Sequence, residues 1–181
     1  MIRLFVALEI PAAIRTRLTM LQGGVPGARW ASEQQMHLTL RFIGEVDGNI
    51  AHDIDDALAA ARAPAFPLEL VGVGEFGGKK PHALWAGVRP NEALLHLQRK
   101  IETSLQRIGL PAEERKFSAH VTLARMRSAP REKVVQFLTH HALFAAGPFQ
   151  VDRFVLFSSH LGRGASVYHA EQTYPLTSFP P

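Results

Sequence analysis

One four-residue pattern occurs twice in the chain, as HLTL at residues 37–40 and as HVTL at residues 120–123. Each copy reads histidine, apolar residue, threonine, apolar residue. Alternate residues of a β-strand share a face, so each copy predicts an imidazole and a hydroxyl on one face and two apolar side chains on the other. The apolar face suits a core, and the polar face suits a site.

The order of residues after each copy repeats as well. The two motifs are offset by 83 positions, from 37 to 120, and the same offset relates Phe66 to Phe149 and Trp85 to Tyr168. All four aromatic residues lie in segments with strand character. One His-x-Thr triplet alone means little in a chain with nine histidines. Two copies in the same context predict a duplicated unit that contributes one histidine from each half.

Composition sets the broad class. The chain has 181 residues, of which 46% are hydrophobic and 20% charged, as in a globular domain or two tightly joined halves. It has no cysteine, which excludes disulfides, thiolate metal sites and a cysteine nucleophile. No segment reaches the roughly 20 apolar residues of a membrane span. The formal net charge of +4 mildly favours a polyanionic partner such as RNA.

Periodicity and turn residues predict an α+β fold with mainly antiparallel sheets, because several strands follow one another with no helix between them. The chain end from 178 to 181 is expected to fray. The predicted helices are 12–22, 49–62, a segment capped by Asn91 and Gly109, and 131–143. The predicted strands are 2–9, 36–43, 66–76, 82–89, 117–126, 149–158 and 166–172.

The polar faces of the two motifs suit acid–base chemistry at phosphorus. Histidine titrates near neutral pH, so His37 and His120 can act as a base that activates water and an acid that protonates a leaving oxygen. The hydroxyls of Thr39 and Thr122 can hydrogen-bond the non-bridging oxygens of a phosphate. A five-membered cyclic phosphate on adjacent ribose oxygens suits this arrangement, and its opening requires no metal.

Two arginines follow the motifs and are candidate phosphate ligands. Arg41 shares the His37 face by strict alternation, four residues further on. Arg125 falls on the opposite face from His120 unless the strand contains a bulge. Alternation therefore favours Arg41 over Arg125.

Other chemistries fit the residues less well. Paired histidine ligands of a metal usually come with carboxylates or cysteine, and neither motif has Asp or Glu at a neighbouring position of the same face. A serine hydrolase is disfavoured because no G-x-S-x-G pattern exists. The remaining alternative is that both histidines are half-buried structural residues.

These residues resemble those of a known family, the two-histidine (2H) phosphoesterases, and within it the RNA 2′,3′-cyclic phosphodiesterases, also called 2′-5′ RNA ligase-like proteins. The similarity extends over nearly the whole chain, and both motifs match in full. The matching segments are RLFVA at 3–7, HLTLRFIG at 37–44, LWAGV at 84–88, RKF at 115–117 and HVTLAR at 120–125.

The resemblance implies a bilobal fold with pseudo-twofold symmetry, in which helices lie outside two antiparallel sheets and the cleft between them holds both motifs. By similarity, His37 is the proton donor, His120 is the proton acceptor, and Thr39 and Thr122 hold the phosphate. The implied product is a 2′-phosphomonoester, with weak reversible 2′-5′ RNA joining as a second activity. No metal or organic cofactor is implied. One departure is Ala119, where the family usually has proline.

The expected site extends beyond the motifs. Arg41 and Arg125 are expected to bind phosphate, and Phe42 and Arg115 are candidate substrate contacts. Phe42 has core parity, which favours packing, with nucleobase stacking as the alternative.

The whole chain, 1–181, is expected to form one domain of two similar lobes. It is expected to be a cytoplasmic monomer that acts on RNA or nucleotides with 2′,3′-cyclic phosphates, with no membrane attachment and no obligatory protein partner. Two alternatives stay open: an RNA-end-binding module without turnover, and a phosphodiesterase for another small cyclic phosphate.

Overall fold

The computed structural model describes residues 1–178 and contains nine strands and four α-helices in that range. Of the chain end that was expected to fray, 178–181, residues 179–181 lie outside the described residues. The strands are β1 Ile2–Glu9, β2 Arg29–Trp30, β3 His37–Val46, β4 Phe66–Phe76, β5 Ala83–Val88, β6 His120–Arg125, β7 Ala145–Val151, β8 Arg153–Leu161 and β9 Ser166–Pro175. The helices are α1 Ala12–Thr19, α2 Gly48–Ala60, α3 Glu92–Arg107 and α4 Arg131–His140.

The two motif strands lie side by side at the centre of the sheet. The strand order is β7-β4-β5-β6-β3-β1-β8-β9, and β2 pairs with β6 off this path. These strands pair antiparallel throughout, which confirms the predicted α+β class. A single pair, Leu38 with Val121, joins β3 to β6. The two expected sheets are therefore one continuous sheet, joined at this one pair.

Each hairpin that follows a motif packs in the other half of the sheet. β4 and β5 follow the first motif, yet β5 pairs with β6, which carries the second. β8 and β9 follow the second motif, yet β8 pairs with β1, the neighbour of β3. The 83-residue repeat is thus interleaved in space, and residues from both halves surround each motif.

The helices cover the face of the sheet that carries the apolar motif residues. Leu38 and Val121 have no exposed surface and belong to one large core with the buried sides of the helices. Asp47 and Asn91 cap α2 and α3 by accepting backbone N–H groups of the first turn. Because the helices lie on one side, the face that carries the histidines and threonines stays open.

Several predicted boundaries were wrong. The predicted strand 149–158 is parts of two strands, β7 and β8, which separate at Asp152 and pair at different places in the sheet. The first helix ends at Thr19 and the fourth at His140, each three residues early. The second motif strand begins at His120 itself, because the preceding residues form no ladder.

Candidate active site

The register of β3 and β6 brings the polar residues of both motifs together. Leu38 pairs with Val121, so one step along the ladder in either direction sets His37 toward Thr122 and Thr39 toward His120. His37, Thr39 and Thr122 line one open cavity of about 700 Å³. His120 is on the same face of β6 as Thr122, beside this cavity and not among its lining residues.

Aromatic rings surround His37 on the open face of the sheet. The ring centroid of Phe157 lies 4.4 Å from that of His37, Tyr168 lies at 5.6 Å and Phe5 at 6.2 Å. These rings come from three strands and form a small apolar cluster separate from the main core. They fix the imidazole and exclude water from its sides.

Burial among these rings changes the acidity of the imidazole. The pKa of His37 falls from 6.5 to about 4, mainly because burial disfavours the charged ring. The backbone of Gln35 and the carboxylate of Glu9 oppose this shift, and Arg15 adds to it. Nδ1 of His37 is buried and has no hydrogen-bond partner among residues 1–178. The imidazole of the free protein is therefore neutral at pH 7.

A backbone carbonyl orients His120. Its Nδ1 lies 2.7 Å from the carbonyl oxygen of Ser118. A carbonyl can only accept, so Nδ1 carries the proton and Nε2 keeps a free lone pair. Burial lowers the pKa of His120, and the charge of Arg125 lowers it further against the opposing Ser118 bond. Ala119, where the family usually has proline, packs against the core.

Aromatic residues of the other half lie beside His120 as well. Phe76 and Trp85 have ring centroids 4.9 Å and 6.3 Å from its imidazole. Trp85 is related to Tyr168 by the 83-residue offset, and Tyr168 lies beside His37. Each histidine is therefore flanked by an aromatic ring from a hairpin that follows the other motif.

A β-bulge occurs at the same place in both motifs. Between β1 and β3, Val6 pairs with Arg41 and Ala7 with Thr39, which leaves Leu40 as the extra residue. Between β5 and β6, the register skips Leu123 in the same way. A bulge reverses the facing of the residues that follow it. Strict alternation therefore fails at the residues that follow the fourth motif residue.

The first bulge turns Arg41 away from the site, so its predicted role as a phosphate ligand was wrong. Its side chain is 8% exposed, and its guanidinium lies 2.7 Å from Glu102 and 3.5 Å from Glu113. It also donates hydrogen bonds to the carbonyl oxygens of Phe42, at 3.1 Å, and Pro111. Arg41 thus ties the loop before the second motif to the first motif strand.

The same bulges bring Phe42 and Arg125 onto the open face. Phe42 is 52% exposed and lines the cavity, so the favoured interpretation as core packing was wrong. Arg125 is exposed and lines the same cavity, because its strand contains the bulge that the alternation argument required. Arg115 is exposed on the loop before β6 and is not among the lining residues.

The structure adds residues that the motifs did not reveal. Arg3, Arg29, Gln35 and Tyr168 all line the cavity. Alternation in β1 could have found Arg3, which shares a face with Phe5. Arg29 lies on a strand of only two residues, which has no periodicity to detect.

A second polar cluster does not form a hydrolase triad. The Ser158 hydroxyl forms a hydrogen bond with Nε2 of His160 at 2.9 Å and donates another to the carboxylate of Glu171. The serine is fully buried and lies between its partners. A nucleophilic serine is exposed and has the histidine in the middle position. This cluster therefore stabilises the β8–β9 hairpin.

Two further findings concern residues 1–178. No group of three or more histidine, aspartate or glutamate side chains there is placed to hold a metal ion. Within the same range, no helix is both long enough and apolar enough to cross a membrane.

With paired histidine–threonine motifs at the centre of an antiparallel sheet, the chain belongs to the 2′-5′ RNA ligase superfamily, whose model matches residues 10–163. The RNA 2′,3′-cyclic phosphodiesterase of Thermotoga maritima is 31% identical, over 92% of this chain and 91% of the relative. The protein of the same name from Aeropyrum pernix is 32% identical, over 85% and 89%. E. coli LigT complexed with 3′-AMP matches with a TM-score of 0.78 and 26% identity, covering 97% of this chain and 98% of that one.

Proposed function

We propose that this protein hydrolyses the 2′,3′-cyclic phosphate ends of RNA to 2′-phosphomonoesters by acid–base catalysis with two histidines. The observation that carries the proposal is the central pairing of the motifs, which sets His37, Thr39 and Thr122 in one cavity with His120 beside it. The names of the relatives support the substrate class. Family membership supports the reaction type.

In the proposed reaction, water attacks phosphorus and the bond from phosphorus to O3′ breaks. Nε2 of His120 accepts the proton of water, which its free lone pair supports. His37 gives its proton to O3′. The hydroxyls of Thr39 and Thr122 donate to the non-bridging oxygens, on which negative charge increases during attack.

The acid role requires His37 to carry a proton that the free protein holds only weakly. An anionic phosphate within a few ångströms of the ring stabilises the charged form and raises the pKa again. Substrate binding would therefore supply the protonated state. After one turnover His37 is neutral and His120 is charged, and proton exchange with water restores the starting state.

Arg125 and Phe42, which line the rim of the cavity, complete the proposed site. Arg125 supplies positive charge at the rim of the cavity for the RNA backbone, and the exposed ring of Phe42 offers a stacking surface for the terminal base. The same bond breaks if a 5′-hydroxyl replaces water as the nucleophile, which would form a 2′-5′ linkage. The name of the matching superfamily favours this as a second activity.

The test is hydrolysis of a short RNA that ends in a 2′,3′-cyclic phosphate, with EDTA present and the product identified by phosphorus NMR. Native protein should form the 2′-phosphate, and His37→Ala and His120→Ala should each lower the rate by about 10²-fold or more. His52→Ala is the matched control, because His52 lies exposed on α2, with 74% of its side chain accessible. Binding without turnover by the native protein would contradict the proposal and favour an RNA-end-binding module.

A further inference from the structure

Two arginines face each other across β2 and β6 at the rim of the cleft. Arg29 pairs directly with Arg125, both are exposed, and both line the cavity. Like charges directly opposite each other destabilise a strand pair. The pairing of two arginines therefore lowers the stability of the fold, and the fold alone does not explain why it is present.

Some surface arginines of this protein have carboxylate partners, and others, such as Arg99, have none among residues 1–178. Arg3, Arg89 and Arg153 each lie within 3.5 Å of a glutamate. Over residues 1–178, neither Arg29 nor Arg125 forms an ion pair or a side-chain hydrogen bond. Two arginines that are paired in register, line one cavity and have no counter-charge suit an anion that both can bind.

The backbone around Arg29 is held firmly against β6. The N–H of Ala31 donates to the carbonyl oxygen of Leu123 at 2.8 Å. Gly27 adopts a φ of +82°, and a Cβ there would lie 2.6 Å from the carbonyl oxygen of Ser128. Only glycine permits this close approach. The backbone that carries the two arginines is thus positioned before any ligand binds.

The arginine pair lies apart from the position of the reacting phosphate. The bulge at Leu123 makes Arg125 the next residue after Thr122 on the open face, about 7 Å further along the strand. Arg29 lies beyond it, on β2. This separation suits a different phosphate of the same RNA strand.

We propose that Arg29 and Arg125 bind a second phosphate, the one attached to the 5′ oxygen of the terminal nucleotide. This inference rests on the proposed function and adds a substrate preference to it. The ligand chemistry is a phosphate on that oxygen, either an internucleotide diester or a 5′-monoester. Chains with such a group are then preferred over a nucleoside 2′,3′-cyclic phosphate with a free 5′-hydroxyl.

The experiment compares kcat/KM for three substrates: adenosine 2′,3′-cyclic phosphate, its 5′-phosphorylated form and a dinucleotide with a 2′,3′-cyclic end. Native protein should prefer the second and third by about tenfold or more, as expected for charge-assisted hydrogen bonds. Arg29→Gln should reduce that ratio toward one and lower the salt slope for the dinucleotide by about 0.7. Arg99→Gln, an exposed arginine on α3, should leave the ratio and slope at native values.

The outcomes distinguish an internucleotide diester from a 5′-monoester as the ligand. They also distinguish failure of the second phosphate site from failure of the proposed function. A preference for the dinucleotide alone that persists in Arg29→Gln would show that base stacking causes it, and would overturn the second phosphate site. If none of the three substrates turns over, the proposed function fails. Calorimetry with adenosine 2′-phosphate and adenosine 2′,5′-bisphosphate then decides the site separately. Tighter native binding of the bisphosphate that Arg29→Gln removes would support the site, and equal native affinities would overturn it.

Discussion

Burial of His37 should make the stability of this protein depend on pH in a way that one substitution removes. The unfolded chain binds a proton at this histidine with a pKa near 6.5, whereas the folded pKa is about 4. Since the folded pKa is the lower one, the stabilising contribution is complete above pH 6.5. It is lost as the pH falls toward 4.

The size of the effect follows from the two pKa values. At 1.36 kcal/mol for each pKa unit, a fall from 6.5 to about 4 corresponds to about 3 kcal/mol. Urea unfolding, followed by tryptophan fluorescence between pH 7 and pH 4, measures it. Native protein should lose about 3 kcal/mol more than His37→Gln over this range, with half of the difference near pH 5.

Comparison between variants isolates this histidine, because the other titrating groups contribute equally to both proteins. His52→Gln removes an exposed histidine, and its stability should run parallel to that of native protein. A difference between native protein and His37→Gln below about 1 kcal/mol would refute the burial argument. An NMR titration of the His37 ring with a pKa near 6.5 would refute it as well.

Three further predictions test other parts of the site. Arg41→Met should lower the free energy of unfolding by about 3 kcal/mol, because it leaves the half-buried carboxylate of Glu102 without its cation, and KM for the cyclic phosphate should stay near the native value. Phe42→Ala should raise KM about fivefold or more, as for the loss of one stacked base, with little change in kcat. Finally, kcat/KM should already be declining at pH 6.5, because burial lowers the pKa values of both His37 and His120 below that of a free imidazole, and the limbs of the kcat profile should lie at higher pH once phosphate is bound.

The sequence predicted which side chains of the two motifs share a face, but not the facing of the residues that follow the motifs. His37, Thr39, His120 and Thr122 were found by alternation within each motif, and the repeat supplied the reason to consider them together. The pairing of Leu38 with Val121 is consistent with that reasoning. The description of the chain as one domain of two similar lobes stays a prediction, as do the roles of the four residues.

The predictions for the residues at the rim of the cavity were wrong for a physical reason. Alternation assumes a regular ladder, and one extra residue at Leu40 and at Leu123 reverses the facing of the residues directly after it. This explains why Arg41 is buried with carboxylates while Phe42 and Arg125 line the cavity. No local pattern marks the bulged leucines. Their common position in the two motifs becomes visible only when the partner strands are known.

Phe42 and Arg125 occupy equivalent positions in the two halves, and this is where the symmetry of the site is broken. A nucleobase stacked on Phe42 would bring the ribose toward the first motif strand, so the leaving O3′ would lie on the side of His37. The attacking water would then lie on the side of His120, whose Nε2 has a free lone pair. The sequence alone could not distinguish the acid from the base, because both motifs have the same histidine and threonine.

A substrate with sulfur in place of O3′ tests this assignment directly. A thiolate leaves without a proton far more readily than an alkoxide, since a thiol has a pKa near 8.5. The sulfur substrate should therefore restore most of the rate lost in His37→Ala and little of the rate lost in His120→Ala, whose base is still needed to activate water. Rescue of His120→Ala instead would reverse the two roles. Equal rescue of both variants would mean that neither histidine protonates the leaving group.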